Sequence, residues 1–140
     1  MTTPGYSGTP LPRKLGLKDG QRVLFLDLPG ELSELGGAAA FSEVRQAGWD
    51  DWDGAGWDFI HGFTASRAVL EANAKPLMGA IARDGMIWVS WPKKASKVAT
   101  DITEDVIREV VLPIGLVDIK VAAVSDVWSG LKLMIRKELR

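Results

Sequence analysis

The sequence predicts an α/β fold: a three-layer sandwich whose mostly parallel sheet of about six strands ends in an antiparallel β-hairpin. Apolar runs of strand length alternate with amphipathic segments, as in sheets that helices cover on both faces. The last two apolar runs, 117–124 and 131–136, are too close for a crossover helix and therefore form a hairpin. A chain of 140 residues has room for one such domain, 1–140.

Turn and cap signals between the apolar runs set the predicted elements. The first elements are an extended arm over 1–10, a short helix over 11–15, a strand over 22–28 and a helix-compatible segment over 31–40. A strand over 41–46, a loop over 49–57, a strand over 58–63 and a helix from 64 or 66 to 81 come next. The last elements are a strand over 86–91, a basic connection over 93–100, a helix over 101–111 and the hairpin.

The first half of the chain has local signals for each element. Thr9 before Pro10 is typical of an N-cap followed by proline at the first helical position, and Gly16 is typical of a helix end. Residues 22–28 are almost continuously apolar, which fits a strand buried on both faces. The WDDWDGAGW segment, 49–57, is rich in aspartate and glycine and therefore predicts a loop.

The second half has similar signals. Pro76 is expected to kink or divide the long helix, and Asp84-Gly85 is expected to form a turn before the next strand. Asp101 begins a helix with Glu104 three positions later, which is a pattern like a capping box.

Composition excludes several classes of function. The 17 basic residues nearly balance the 18 acidic ones, which argues against broad nucleic-acid binding. The absence of cysteine excludes disulfide scaffolds, thiol enzymes and Cys-ligated zinc modules, and one histidine, His61, cannot build a multi-histidine metal site. No apolar run approaches the ~18 residues of a membrane span, and no signal peptide is evident, so we expect a cytoplasmic protein that does not bind a membrane.

Charge is distributed unevenly along the chain. Residues 27–58 contain eight acidic side chains and one basic side chain, Arg45, so this segment carries a net charge of −7 and the remainder +6. Such asymmetry indicates either a basic functional surface that faces away from an acidic one, or solvated charges without a function.

The predicted site is a rim beyond the carboxyl ends of the strands, where open α/β sheets bind ligands. Lys93, Lys94 and Lys97 precede a helix start, and ammonium groups with free backbone N–H groups suit a phosphate, carboxylate or nucleotide. A solvated loop is the alternative. The residues assigned to this anion-binding rim are Trp91, Lys93, Lys94, Ser96, Lys97, Thr100, Thr64, Arg67, Trp128 and Ser129; Tyr6 and Ser7 would join if the arm folds back.

The turn after the first strand, 27–31, does not have the pattern of a cofactor loop. Dinucleotide and methyltransferase loops need several glycines for close backbone approach, but this turn has one glycine, and Glu31 would repel an anionic ligand group. We therefore expect no cofactor. Asp50, Asp51 and Asp53 lack the spacing of a calcium loop, so no metal is expected either.

His61 and the tryptophan-rich loop each allow two interpretations. His61 is either a general base or a hydrogen-bonded histidine at the sheet surface, and the second is favoured, since no GxSxG elbow is present for a catalytic triad. Trp49, Trp52 and Trp57 either form a partner-binding patch or fold back over the local core, which is the favoured interpretation.

Several motifs resemble a bacterial family of small proteins that is defined only as a domain of unknown function. They are GYSGTPL at 5–11, KLGL at 14–17, WPKKAS at 91–96, TDITE at 100–104, GLVDIKV at 115–121 and VWSGLK at 127–132. This resemblance implies no activity, cofactor or catalytic residue. The order of the predicted elements is also similar to the closing half of the Rossmann-like methyltransferase fold, in which a helical crossover precedes a β-hairpin.

Three functional hypotheses follow. The leading one is a non-catalytic protein that binds an anionic small molecule or an acidic partner at the basic rim. The alternative is a small S-adenosylmethionine-dependent methyltransferase, with Asp27 and Pro29-Gly30 near the cofactor and Thr64 or Trp91 near the acceptor. A third is an interaction module that uses the acidic tryptophan loop to bind a protein partner or a second copy of the chain.

Overall fold

The computed structural model of the protein describes residues 9–140. The predicted arm, with Tyr6 and Ser7, lies outside the described residues except for its last two positions. In the described range the strands are β1 (Arg22–Leu26), β2 (Glu43–Ala47), β3 (Trp57–Phe63), β4 (Ile81–Pro92), β5 (Leu116–Ala123) and β6 (Trp128–Ile135), and the α-helices are α1 (Leu11–Leu15), α2 (Arg67–Ala80) and α3 (Glu104–Val111). Short 3-10 helices span Gly30–Gly37, Lys94–Ser96, Leu112–Ile114 and Lys137–Leu139.

The strands form one six-stranded sheet with the order β2-β1-β3-β4-β6-β5. The pairs among β1, β2, β3 and β4 are parallel, whereas β6 runs antiparallel to both β4 and β5. The predicted fold class is therefore confirmed, including the closing hairpin. The hairpin folds back on itself, so that β6 is inserted between β4 and the edge strand β5.

Both faces of the sheet are buried, which explains the continuous apolar run of β1. Leu24 and Leu26 face the layer formed by α2 and α3, while Val23 and Phe25 face α1 and the 3-10 helix Gly30–Gly37. The first face packs mainly aliphatic side chains and the second packs an aromatic group. This aromatic group comprises Phe25, Phe59, Phe63 and Trp88.

Helix α1 has the predicted bounds and ends at Gly16, which adopts a left-handed conformation with φ 90°. The predicted N-cap is wrong, because Pro10 occupies the cap position and no side chain caps the helix. The helix is instead fixed at its other end, where the Trp88 Nε1–H donates a hydrogen bond of 2.8 Å to the Leu15 carbonyl.

Strand β4 is longer than predicted, and the expected turn at Asp84-Gly85 is wrong. The pairing with β3 jumps from Ile81 to Met86, so the intervening residues bulge out within one strand. At Gly85 a Cβ atom would lie 3.0 Å from the Asp58 carbonyl oxygen, so the backbone of the bulge approaches that of β3 more closely than a residue with a side chain would allow.

Helices α2 and α3 begin later than the first predicted cap residues. The Ser66 side chain accepts a hydrogen bond from the Val69 N–H and caps α2, which continues through Pro76 without dividing. The Thr103 hydroxyl caps α3, so the predicted start at Asp101 is wrong. None of the helices in residues 9–140 has the length and apolar character that are needed to cross a bilayer.

Candidate functional site

The carboxyl ends of β1, β2, β3 and β4 lie along one edge of the sheet, which we call the carboxyl edge. The hairpin turn reaches the same edge, because Trp128 pairs with Pro92 and the Lys93 N–H donates to the Val127 carbonyl at 2.7 Å. The WPKKAS and VWSGLK motifs, separated by thirty residues in the sequence, therefore meet at the end of β4.

Two carboxylates flank the backbone at the ends of β1 and β2. Asp27 adopts a left-handed conformation with φ 53°, and its N–H donates to the Ala47 carbonyl. A Cβ atom at Gly48 would lie 3.0 Å from Asp51 Oδ1 and 3.5 Å from Asp27 Oδ1. Partial burial raises the pKa of Asp27, and the charges of Asp50 and Asp51 raise it further.

The carboxylates of Asp27 and Asp51 have no cationic partner within residues 9–140, whereas neighbouring carboxylates do. Glu43 pairs with both Arg22 and Arg45, and Arg45 also pairs with Asp53. The negative charge of the 27–58 segment is therefore concentrated at the ends of β1 and β2, where it can attract a cation or accept hydrogen bonds from hydroxyl groups.

The turn after β1 is open to ligands although it is poor in glycine. A Cβ atom at Gly30 would meet no atom of residues 9–140 within 4 Å, so this part of the chain leaves the space beside the residue open. The turn leads into a 3-10 helix, Gly30–Gly37, whose first N–H groups have no partners within the helix. The shortage of glycines in this turn is visible in the sequence, whereas the open space beside Gly30 is visible only in the structure.

Trp49 covers the carboxyl end of β3. A Cβ atom at Gly62 would be only 2.4 Å from the Trp49 ring, so the indole lies directly against this glycine. The Trp49 Nε1–H also donates a 2.8 Å hydrogen bond to the Phe63 carbonyl. Trp57 is fully buried and Trp52 is half-buried, so the prediction that this loop folds back over the core is confirmed; the partner-binding alternative stays a prediction.

His61 is in the core instead of at the sheet surface. Its Nε2 forms a 2.7 Å hydrogen bond with Ser90 Oγ, and its ring stacks on Phe63 with the centroids 4.1 Å apart. Complete burial lowers its pKa to about 3, so the ring is neutral at physiological pH. The predicted hydrogen bond is present, and the buried position does not suit a general base.

A cavity of about 440 Å³ lies under the loop between β4 and α3. Four of the predicted rim residues line it: Trp91, Lys94, Lys97 and Thr100. The remaining lining residues, which sequence reasoning missed, are Pro92, Val98, Ala99, Ile102 and Thr103. They are mostly apolar, and no residue type in the sequence marked them as part of a site.

The predicted hydroxyl groups shape the loops around this cavity. Ser96 Oγ donates to the Lys93 carbonyl at 2.6 Å, and Thr100 Oγ1 donates to the Ala65 carbonyl at 2.8 Å. The buried Thr64 accepts a hydrogen bond within its own turn. Thr100 thereby joins the loop after β4 to the loop after β3, whereas Ser96 and Thr64 each stabilise their own loop.

The other predicted residues lie away from the cavity lining. The Arg67 guanidinium pairs with Glu71 and Glu109 across α2 and α3. The Trp128 ring packs edge-on against Phe63, with the centroids 5.3 Å apart, and belongs to the opposite core layer. Ser129 lies on β6 opposite Trp91, and Lys93 bonds through its backbone to the hairpin.

No protein-family model and no curated protein matches the sequence. Solved structures do match in fold. Magnesium protoporphyrin IX methyltransferase from Synechocystis, with bound S-adenosylmethionine, is similar with a TM-score of 0.64 and 15% identity over 91% of this chain and 74% of that one. A S-adenosylmethionine-dependent methyltransferase from Aquifex aeolicus is similar with a TM-score of 0.62 and 13% identity, over 88% and 86% of the two chains.

The chain has a Rossmann-like methyltransferase fold. The leading expectation from the sequence, a non-catalytic protein that binds an anion or an acidic partner, is therefore wrong as the main interpretation. Structures that share the fold over most of the chain are methyltransferases, which supports the methyltransferase alternative instead. The main interpretation rested on the missing glycines after β1, but a fold can keep its strand order when one loop has changed.

Proposed function

We propose that the protein is a small S-adenosylmethionine-dependent methyltransferase. The observation that carries this proposal is the strand order, with antiparallel β6 inserted between β4 and β5, in a fold shared with methyltransferases over nearly the whole chain. In open α/β sheets the ligand site lies beyond the carboxyl ends of the strands, and several charged side chains without an ion pair in residues 9–140, among them Asp27 and Lys94, lie at that edge.

The chemistry of the acidic side fits this cofactor. S-adenosylmethionine carries a sulfonium, an ammonium and two ribose hydroxyls, and unpaired carboxylates at Asp27 and Asp51 can attract the cations or accept hydrogen bonds from the hydroxyls. The open space beside Gly30 gives access, and the first N–H groups of the following 3-10 helix can receive the carboxylate. Glu31 opposes that last contact, which predicts modest affinity.

The remaining residues of the edge define the surroundings of the reaction. When bound, the cofactor supplies an electrophilic methyl group that passes to a nucleophilic atom of the acceptor and leaves S-adenosylhomocysteine. Trp49 keeps the end of β3 covered and thereby excludes water from the middle of the edge. Thr64 and Trp91, at the ends of β3 and β4, border the side on which we place the acceptor.

Calorimetric titration with S-adenosylhomocysteine tests the proposal. We expect binding to the wild type and at least about tenfold weaker binding to Asp27→Asn, because a hydrogen bond to a charged group contributes about 1.5–3 kcal/mol. Asp84→Asn, which changes an exposed carboxylate in the bulge of β4, is the matched control and should bind normally. Ligand at 100 times its Kd should also stabilise the fold by about 2.7 kcal/mol.

Two results would overturn the proposal. One is the absence of both binding heat and thermal stabilisation at millimolar ligand. The other is equal weakening by Asp27→Asn and Asp84→Asn, since it would show that general charge and not the carboxylate at the end of β1 attracts the ligand.

A further inference from the structure

The cavity under the loop between β4 and α3 adjoins the acceptor side of the carboxyl edge. Its volume of about 440 Å³ is within the range of small-molecule sites. The Asp101 N–H and the Thr100 hydroxyl both donate to the Ala65 carbonyl, which fixes the wall of the cavity against the loop that follows β3. The cavity is therefore a firmly attached part of the edge.

Three donors that line this cavity are free within residues 9–140. Trp91 is only 8% exposed, yet its indole N–H forms no hydrogen bond. Neither Lys94 nor Lys97 forms an ion pair, and both side chains are exposed at the mouth. Lys97 ends the 3-10 helix Lys94–Ser96 in a left-handed conformation with φ 62°, which fixes where its side chain leaves the loop.

The two hydroxyl groups that remain in the lining already form hydrogen bonds within the protein. Thr103 accepts a hydrogen bond from the Val106 N–H as the cap of α3, and Thr100 bonds to the Ala65 carbonyl. No carboxylate lines the cavity, and its other walls are apolar. A ligand that matches this lining has an apolar body and an anionic end that accepts hydrogen bonds.

We propose that this cavity binds the methyl acceptor and that the acceptor is a planar aromatic acid. The aromatic ring lies against Trp91, whose N–H donates to an oxygen of the ligand, and the carboxylate lies between the ammonium groups of Lys94 and Lys97. This inference rests on the proposed methyltransferase function for the role of the ligand, but the binding itself can be tested without turnover.

The first test is calorimetric titration with 4-hydroxybenzoate, together with NMR observation of the Trp91 indole N–H. We expect the indole signal to shift on binding. The neutral analogue 4-hydroxybenzamide and inorganic phosphate should each bind at least about tenfold more weakly, because each lacks either the charge or the ring. Phosphate binding as tight as that of 4-hydroxybenzoate would overturn the assignment of an aromatic ligand.

Variants separate the contributions of the three donors. Trp91→Phe keeps an aromatic ring but removes the N–H, and we expect about fivefold weaker binding. The double variant Lys94→Gln/Lys97→Gln should bind more than about tenfold more weakly, whereas Lys75→Gln on α2 is the matched control and should bind as the wild type does. Unchanged binding by the double variant, or an indole signal that does not move, would overturn the proposal.

Parallel titration with S-adenosylhomocysteine distinguishes this inference from the function on which it rests. If S-adenosylhomocysteine binds but 4-hydroxybenzoate does not, the proposed class of acceptor is wrong and the proposed function stands. If only 4-hydroxybenzoate binds in the cavity, the aromatic-acid site stands and the proposed function falls. If neither ligand binds, both are overturned.

Discussion

The two sides of the carboxyl edge carry opposite free charges. At the ends of β1 and β2 the unpaired groups are the carboxylates of Asp27 and Asp51, while beyond β4 they are the ammonium groups of Lys94 and Lys97. Among the other charged side chains of the described residues, some form ion pairs, as Arg108 does with Asp118, and others are exposed to solvent, as Lys75 and Asp84 are. A net charge of −1 therefore conceals an edge with a separate acidic side and basic side.

The boundary between the two sides is the end of β3, where Trp49 lies on Gly62. Removal of this boundary should have the largest effect on the free energy of unfolding. We expect Trp49→Ala to lower the free energy of unfolding by about 3–5 kcal/mol, because a buried indole and its hydrogen bond to the Phe63 carbonyl are both lost. Urea denaturation at neutral pH measures this change.

Gly62→Ala provides the matching half of a double-mutant cycle. Alone it forces a methyl group into the Trp49 ring, but in the Trp49→Ala background that clash is removed, so the two costs should not add. Additive costs would show that the indole does not rest on Gly62.

A smaller effect should come from His61, which lies below this boundary. Its folded-state pKa of about 3 is far below the usual 6.5, so protons bind the unfolded state more readily. The stabilising effect of neutral His61 is complete above pH 6.5 and is lost as the pH falls towards 3. At pH 5 we expect a loss of about 2 kcal/mol relative to pH 7, measured by urea denaturation.

The control for this prediction is His61→Gln, in which the same pH change should cost about 2 kcal/mol less, since glutamine does not titrate. The groups that face the ring are aromatic side chains and one hydroxyl, none of which titrates in this range: Phe25, Phe59, Phe63, Trp88 and Ser90. An equal acid loss in both proteins would contradict the assignment to His61.

The smallest effect should come from Gly30→Ala on the acidic side. The added methyl group would meet no protein atom within 4 Å, so we expect the free energy of unfolding to change by less than about 0.5 kcal/mol. Affinity for S-adenosylhomocysteine should nevertheless fall, because the methyl group enters the open space beside the turn. A large loss of stability would mean that this space is not free.

The sequence predicts the parts of the fold that depend on local patterns. The apolar run of β1, the left-handed Gly16 after α1 and the closing hairpin each follow from neighbouring residues alone. The extent of β4 does not, because Asp84-Gly85 has the local chemistry of a turn, and only the pairing with β3 on both sides of it shows that it is a bulge within one strand.

The candidate site was predictable only in its charged part. The WPKKAS motif indicates Trp91, Lys94 and Lys97, but their partners Val98 and Ile102 are ordinary apolar residues that become lining residues only when the loop folds. The capping residue of α3 was similarly ambiguous. Asp101 and Thr103 are both good caps, and Asp101 is instead used to accept a hydrogen bond from the Arg67 N–H.

The position of β6 also constrains the order in which the protein can fold. This strand follows every other strand in the sequence, yet it lies between β4 and β5. During synthesis β4 therefore has an unpaired edge until residues 128–135 have left the ribosome. An unpaired edge attracts other strands, so the nascent chain is exposed to wrong pairing until its hairpin closes.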